Sequence, residues 1–506
     1  MLKVVNLLQK SMFFLPSTCQ LLAEGGDDRI ALDSRMVNKY GCRPTPDPEL
    51  AAFGSSTVST ISVRAFVAAD ALRRRLLFAS HKMTPAEIYL REIGRIRTEL
   101  IHLCGLSEFT GLETIFAPSG TELHMFAARL LARGGAARTL AIMVQSTETG
   151  SGVKNALAGH IRPCEAPATH DEHLIDVATV AIRSLDGGLL PSEMIDDEVE
   201  ALVAAGVGRY DRILITLTDV SKTGIIAPGL TRVLALKARW PGVVEIFVDA
   251  AQFRLASASL RGYLAHDCMV AITGSKFLTG PAFSAVLLVP EASAHRLMEF
   301  PLDAALCCGS ARAEWPQNWT GVKALPDGAN YGLLLRWEAA LAEFRAFRAV
   351  PEASIKGFVE AFSQAIQARL NSDPHFGLLA QPGLDRRPIV TGDHWDQLPT
   401  IFPFLLYHVT SWGARVPLST NETKRIYSII VKNKKSSTLR YELGQPVLCG
   451  KQYGINISAL RLCVGARTIV DNASYKNMND DKIIRKALMV LDNVAFLIDK
   501  LSKNIY

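Results

Sequence analysis

The chain of 506 residues holds nine cysteines, at positions 19, 42, 104, 164, 268, 307, 308, 449 and 463, without a single Cys-x-x-Cys pair. Their odd number and the lack of any His/Cys spacing suited to zinc exclude a zinc module and a disulfide-stapled secreted scaffold. They are read as reduced thiols, which implies a reducing, cytoplasmic setting. No apolar run is long enough to span a bilayer, and Gln9, Lys10 and Pro16 interrupt the opening stretch, so neither a membrane anchor nor a signal peptide is expected. A dense basic face is also lacking. The net charge of +6 is spread along the chain, which gives no footprint for nucleic acid and only a weak bias toward an anionic small molecule. The strongest basic cluster, "VKNKKSSTLR" at 431–440, reads as a solvated loop. Internal repeats and low-complexity tracts are missing too.

With 49% hydrophobic and 21% charged residues, the chain has the composition of a folded globular protein. Residues 1–60 read as an irregular N-terminal arm rich in turn formers ("CRPTPDPE", "FGSSTVSTIS"). Helical spacing starts near Val63, and Thr84, Pro85 and Glu87 mark a helix start. From residue 112 seven short apolar runs ("LETIFAP", "TLAIMVQS", "VATVAIRSL", "RILITLTD", "VEIFVDAA", "MVAITGS", "SAVLLVP") alternate with amphipathic stretches. Most lack polar alternation, which predicts strands buried on both faces. The expected fold class is α/β, a mostly parallel seven-stranded sheet flanked by helices, spanning a large domain at 61–345. Residues 346–506, with strand-like "IYSIIVK" and "ALRLCVGA" and a closing helix, read as a smaller C-terminal α+β domain.

In open α/β sheets, ligands gather at the carboxyl ends of the strands. "LETIFAPSGTELHMF" reads as strand, turn and helix, with Gly120 allowing close backbone approach, Thr121 adding a hydroxyl and the helix start supplying free N–H groups, an anion cradle. Asp249 follows one apolar run and Lys276 follows the next. An amine, a carboxylate and an anion cradle on one sheet edge suit a cofactor that has an aldehyde, a ring nitrogen and a phosphate.

Asp249-Ala250-Ala251-Gln252, then Thr273-Gly274-Ser275-Lys276, then Gly280-Pro281 resemble the fold-type I pyridoxal-phosphate (PLP) enzymes, and within them the class V aminotransferase group with its cysteine desulfurases, kynureninase and isopenicillin-epimerase-like members. "DVSKTGIIAPGL" at 219–230 resembles the family's Asn-Glu-Thr-Gly segment, and "APSGTEL" its phosphate loop. The resemblance implies pyridoxal 5'-phosphate as cofactor. It makes Lys276 the Schiff-base lysine and proton carrier, Asp249 the partner of the pyridine nitrogen, and Gln252 a donor to the ring 3-oxygen. Gly120, Thr121, Thr273 and Ser275 would surround the phosphate, with Ser221 in the place of an Asn that touches the ring oxygen. Arg461, with Arg467 as second choice, would bind a substrate carboxylate.

Three departures mark a divergent member. Glu148-Thr149 stands where the family has Glu-His, so a stacking aromatic is missing; Ser221 replaces Asn; and Ser275 replaces the His before the lysine. The implied activity is that of a PLP-dependent transferase or lyase working at the α-, β- or γ-carbon of an amino-acid-type substrate, an aminotransferase first. A cysteine-desulfurase-type C–S lyase using Cys449, or a non-catalytic scaffold, are the alternatives. A homodimer is implied as well, with the 1–60 arm placed to wrap the neighbour.

Overall fold

The computed structural model describes residues 15–133, 136–160, 174–307, 309–432, 440–474 and 482–502. Most of the basic cluster at 431–440 lies outside them, as do Cys164 and Cys308. In the N-terminal arm a short helix, Thr18–Leu22, precedes strand β1 (Ala51–Phe53).

All seven apolar runs are strands: β2 (Glu113–Ala117), β3 (Thr139–Val144), β4 (Ile175–Val180), β5 (Arg212–Thr218), β6 (Val244–Ala250), β7 (Met269–Thr273) and β8 (Ala285–Val289). They form one sheet in the order β2-β8-β7-β6-β5-β3-β4. Pairing is parallel from β7 to β4, and β8 runs antiparallel to both β7 and β2. Consecutive residues feed opposite cores: Ile246 and Val248 join one hydrophobic cluster, and Phe247 joins the other. This two-sided burial is why the inner strands carry almost no polar alternation, each large apolar side chain contributing about 1.5–3 kcal/mol, whereas the edge strand β4 exposes Asp176 and Thr179. The helix Tyr331–Arg348 covers one face with Leu333, Trp337 and Leu341, and the helix Gly120–Leu131 covers the other with Leu123, Phe126 and Ala127.

A second sheet holds β9 (Phe376–Leu378), β10 (Ile401–Val409), β11 (Arg415–Pro417), β12 (Tyr441–Gln452) and β13 (Ile455–Cys463). β1 extends it, pairing parallel with β12 through Ala51 and Tyr441. Two expectations need correction here. "IYSIIVK" is not a strand but part of the helix Thr420–Lys432. Ser419 and Glu422 cap its start reciprocally, and Thr423, Ile426 and Ile430 line its buried face at helical spacing, which outweighs the β-branched residues' strand preference. The end of the arm is also not wholly irregular: Ala51–Phe53 form β1, and residues 51–60, all buried except the half-buried Thr57, lie against their own chain because β1 has a ladder partner there and Glu442 accepts hydrogen bonds from Thr60. Among the described residues no helix is long and apolar enough to cross a membrane.

Candidate active site

Because β2 runs in the same direction as β3, β5, β6 and β7, the loops that leave all five strands meet at one sheet edge. They bound a cavity of about 330 Å³, closed on the opposite side by residues of the arm and of β13. Gly120, Thr121, Asp249, Gln252, Thr273, Ser275, Lys276 and Arg461 all line it.

Asp249, next to the end of β6, is buried, and its Oδ1 accepts the Ala251 N–H at 3.2 Å. Its Oδ2 lies 3.2 Å from His124 Nε2. Burial alone would raise the carboxyl, but the His124 ring, the Ala251 N–H and the Lys276 charge together hold it below the usual range. His124 sits four residues after Gly120 on the same helix face, edge-on to Phe247, with Nδ1 2.7 Å from the Gly120 carbonyl. Both ring nitrogens thus lie close to oxygen atoms, Nδ1 to the Gly120 carbonyl and Nε2 to the Asp249 carboxylate.

Lys276 Nζ donates to the Thr57 carbonyl at 2.9 Å. Burial, then the charges of Arg461 and Lys222, lower its ammonium to about 7, against which Asp249 pulls upward. Gly274, two residues earlier, is required by packing: a Cβ there would lie 2.5 Å from Ala340 Cβ. Thr273 Oγ1 donates to the Ala251 carbonyl at 2.6 Å, and Ser275 Oγ reaches Thr273 Oγ1 at 3.3 Å. Gln252 Nε2 donates to the Ser56 carbonyl at 3.0 Å.

Ser221 departs from expectation. Its hydroxyl donates to Glu148 Oε2 at 2.8 Å, and the residue is not part of the cavity lining. Glu148 draws it away: this buried carboxylate also pairs with Arg183 at 2.8 Å and accepts from the Thr223 hydroxyl at 2.7 Å. Arg461 is buried on the cavity wall, donating to the Gln445 carbonyl at 2.8 Å and to Thr57 Oγ1 at 2.8 Å. Arg467, the second choice, is not part of the lining; it donates to the Thr60 carbonyl at 2.8 Å and lies 3.7 Å from Glu343. Cys449 is buried, donates to the Val447 carbonyl at 3.2 Å and does not line the cavity; burial pushes its thiol up to about 11.

Sequence reasoning missed His124, Lys222, Ser56 and Thr57. The i, i+4 relation to Gly120 was the one signal available for His124; nothing local marks the arm residues. Ser119 Oγ, Thr149 Oγ1 and Thr218 Oγ1 also belong to lining residues and are buried without a hydrogen-bond partner. Unpaired hydroxyls are costly in a bare protein interior. Beside a helix start, a low-lying carboxylate and a lysine lowered to about 7, they fit a phosphate-bearing aromatic aldehyde.

No family model and no curated protein sequence matches the chain. Solved structures do. The cysteine desulfurase CsdA of Escherichia coli superposes with TM-score 0.53 at 12% identity, covering 89% of this chain and 95% of that one. The NifS-like protein of Rickettsia africae gives 0.52 at 11%, covering 88% and 99%. Oryza sativa TDC, solved with PLP, gives 0.50 at 16%, covering 89% and 84%. The chain therefore has the fold of the fold-type I PLP enzymes that its motifs resemble.

Proposed function

We propose that the chain is a PLP-dependent enzyme that acts on an amino-acid-type substrate, with transamination as its reaction. The observation that carries this reading is the convergence of Asp249 and Lys276 on one cavity with Arg461 on its wall. Pyridoxal phosphate, when bound, supplies the electron sink that makes the substrate α-carbon acidic. The remaining work falls to the protein. Lys276, lowered to about 7, is present in good part as the free amine near neutral pH, so its Nζ would hold the cofactor through its aldehyde carbon and would take a proton from the substrate α-carbon. Asp249, kept ionised, would hold a proton on the ring nitrogen, and His124 would orient that carboxylate. Thr121, Thr273, Ser275 and the first turn after Gly120 would take the phosphate, and Gln252 the 3-oxygen. Arg461 would fix the substrate carboxylate and so set which α-carbon bond faces Lys276.

The structural neighbours include cysteine desulfurases, but the buried, high-lying Cys449 thiol offers no support for sulfur attack in this chain. We further propose a cytoplasmic homodimer, in line with the described cysteines, all of them free thiols, and with the family resemblance. Incubation of purified protein with PLP and a panel of amino acids tests the reading. Loaded protein whose cofactor spectrum responds to an amino acid and which releases the matching keto acid supports transamination; release of ammonia or sulfide instead would replace it with a lyase, and failure to take up PLP would reject the enzyme reading altogether. Sedimentation of the loaded protein as a monomer would overturn the dimer.

A further inference from the structure

Lys222 and Arg461 together put an excess of positive charge on one side of the cavity. Lys222 follows β5, lines the cavity and is half-buried. Its ammonium makes no ion pair and no hydrogen bond among the described residues; burial and the neighbouring Arg461 lower it to about 8, against the upward pull of Glu148. Its backbone is held in place at both ends, with the N–H donating to the Glu148 carbonyl at 2.9 Å and the carbonyl 3.4 Å from Arg461 Nη1. Arg461 itself donates only to neutral oxygens, those of Gln445, Ser56, Thr57 and Lys222. Glu148 draws on both charges from a distance, but neither acid of the lining forms an ion pair with Lys222 or Arg461 among the described residues. Glu148 is taken by Arg183, Ser221 and Thr223, and Asp249 by His124 and the Ala251 N–H.

The phosphate cradle does not account for Lys222 either. The cradle follows β2 and β7, and β6 lies between β7 and the β5 edge that carries Lys222, which sets them about 10 Å apart at normal strand spacing. One substrate carboxylate would satisfy Arg461 and leave a partly desolvated ammonium with no ion-pair partner among the described residues, a costly arrangement unless the ligand provides one.

We infer that the substrate is an amino acid whose side chain ends in a second anionic group, with Arg461 holding one end and Lys222 the other. This deepens the reading of the site as an amino-acid-binding PLP centre and rests on it. A compact ammonium accepts a distal carboxylate or a distal phosphate equally well, so both belong to the class.

The test is calorimetric titration of protein loaded with PLP, and of the same protein without it, by three amine-free probes: pentanoate, glutarate and 4-phosphonobutyrate. Glutarate or 4-phosphonobutyrate should bind about tenfold more tightly than pentanoate, as expected for one added charge-assisted hydrogen bond; which of the two does so identifies the distal group. Lys222→Gln should abolish that probe's preference over pentanoate, while Lys222→Arg keeps the preference, which separates a lost charge from a misfolded loop. Equal affinities for all three probes, or a preference that survives Lys222→Gln, would overturn the inference. So would a Lys222→Gln variant in which the cofactor's absorption changes and the preference does not. Failure to load with PLP would instead count against the enzyme reading, and the titration of unloaded protein would still read the preference.

Discussion

The two walls of the cavity differ in how their charges are partnered and in origin. The sheet wall is made by loops that directly follow β2, β6 and β7; its acid, Asp249, is engaged by His124, and its hydroxyls surround a helix start. The rest of the lining, from the arm, the loop after β5 and β13, carries Lys222 and Arg461; Arg461 donates only to neutral oxygens and the Lys222 ammonium makes no ion pair or hydrogen bond among the described residues, with Glu148 drawing on both charges from a distance. On the function proposed above, the first wall would hold the cofactor and the second its substrate. A carboxylate by itself is a poor guide to this division. Glu148 lines the cavity, yet its oxygens are consumed by Arg183, Ser221 and Thr223, so it anchors the Lys222 loop instead of meeting a ligand.

The contrast can be broken wall by wall, starting with the largest effect. Lys276→Ala should lower turnover by about 10⁴-fold, the upper end of what a positioned proton carrier contributes, with folding intact by circular dichroism; activity within tenfold of wild type would remove Lys276 from its role. Arg183→Met leaves a buried carboxylate unpaired and should cost about 3–5 kcal/mol in urea unfolding. An unchanged midpoint would show that Glu148 is free to serve a ligand. Asp249→Asn should reduce turnover by about 10²–10³-fold while PLP uptake persists, since the loss is of charge placed at the ring.

On the other wall, Arg461→Gln should raise KM by about 10- to 100-fold with a smaller change in kcat, the pattern of a lost ground-state carboxylate contact. The smallest effect concerns pH. Capture of PLP by the unloaded protein needs the neutral Lys276 amine, so its rate should rise with pH through a midpoint of about 7. Arg461 and Lys222 both lower that lysine, and removing either charge favours the protonated amine; Arg461→Gln should therefore move the midpoint upward. A downward shift would contradict the charge arrangement.

How well each wall could be read from the sequence follows the same division. The sheet wall was legible because a strand buried on both faces, a turn and a helix start leave local marks, and Gly120, Thr121, Asp249, Thr273, Ser275 and Lys276 sit within those marks. The far wall depends on contacts between distant segments. Thr57 meets Arg461 across 404 positions, and no spacing rule connects them. Lys222, a lone lysine in a polar turn, reads as solvated until the fold encloses it. Ser221 shows the converse: its position matched a motif, but Glu148 competes for its hydroxyl, a partner that only the folded chain brings near. In the second sheet, local β-branched residues concealed the helical spacing of Thr423, Ile426 and Ile430.

Borohydride reduction of PLP-loaded protein followed by peptide mapping tests the central claim most directly. The account predicts one pyridoxyl adduct, on the peptide that contains Lys276. An adduct on Lys222 alone, or none on a protein that folds normally, would contradict it.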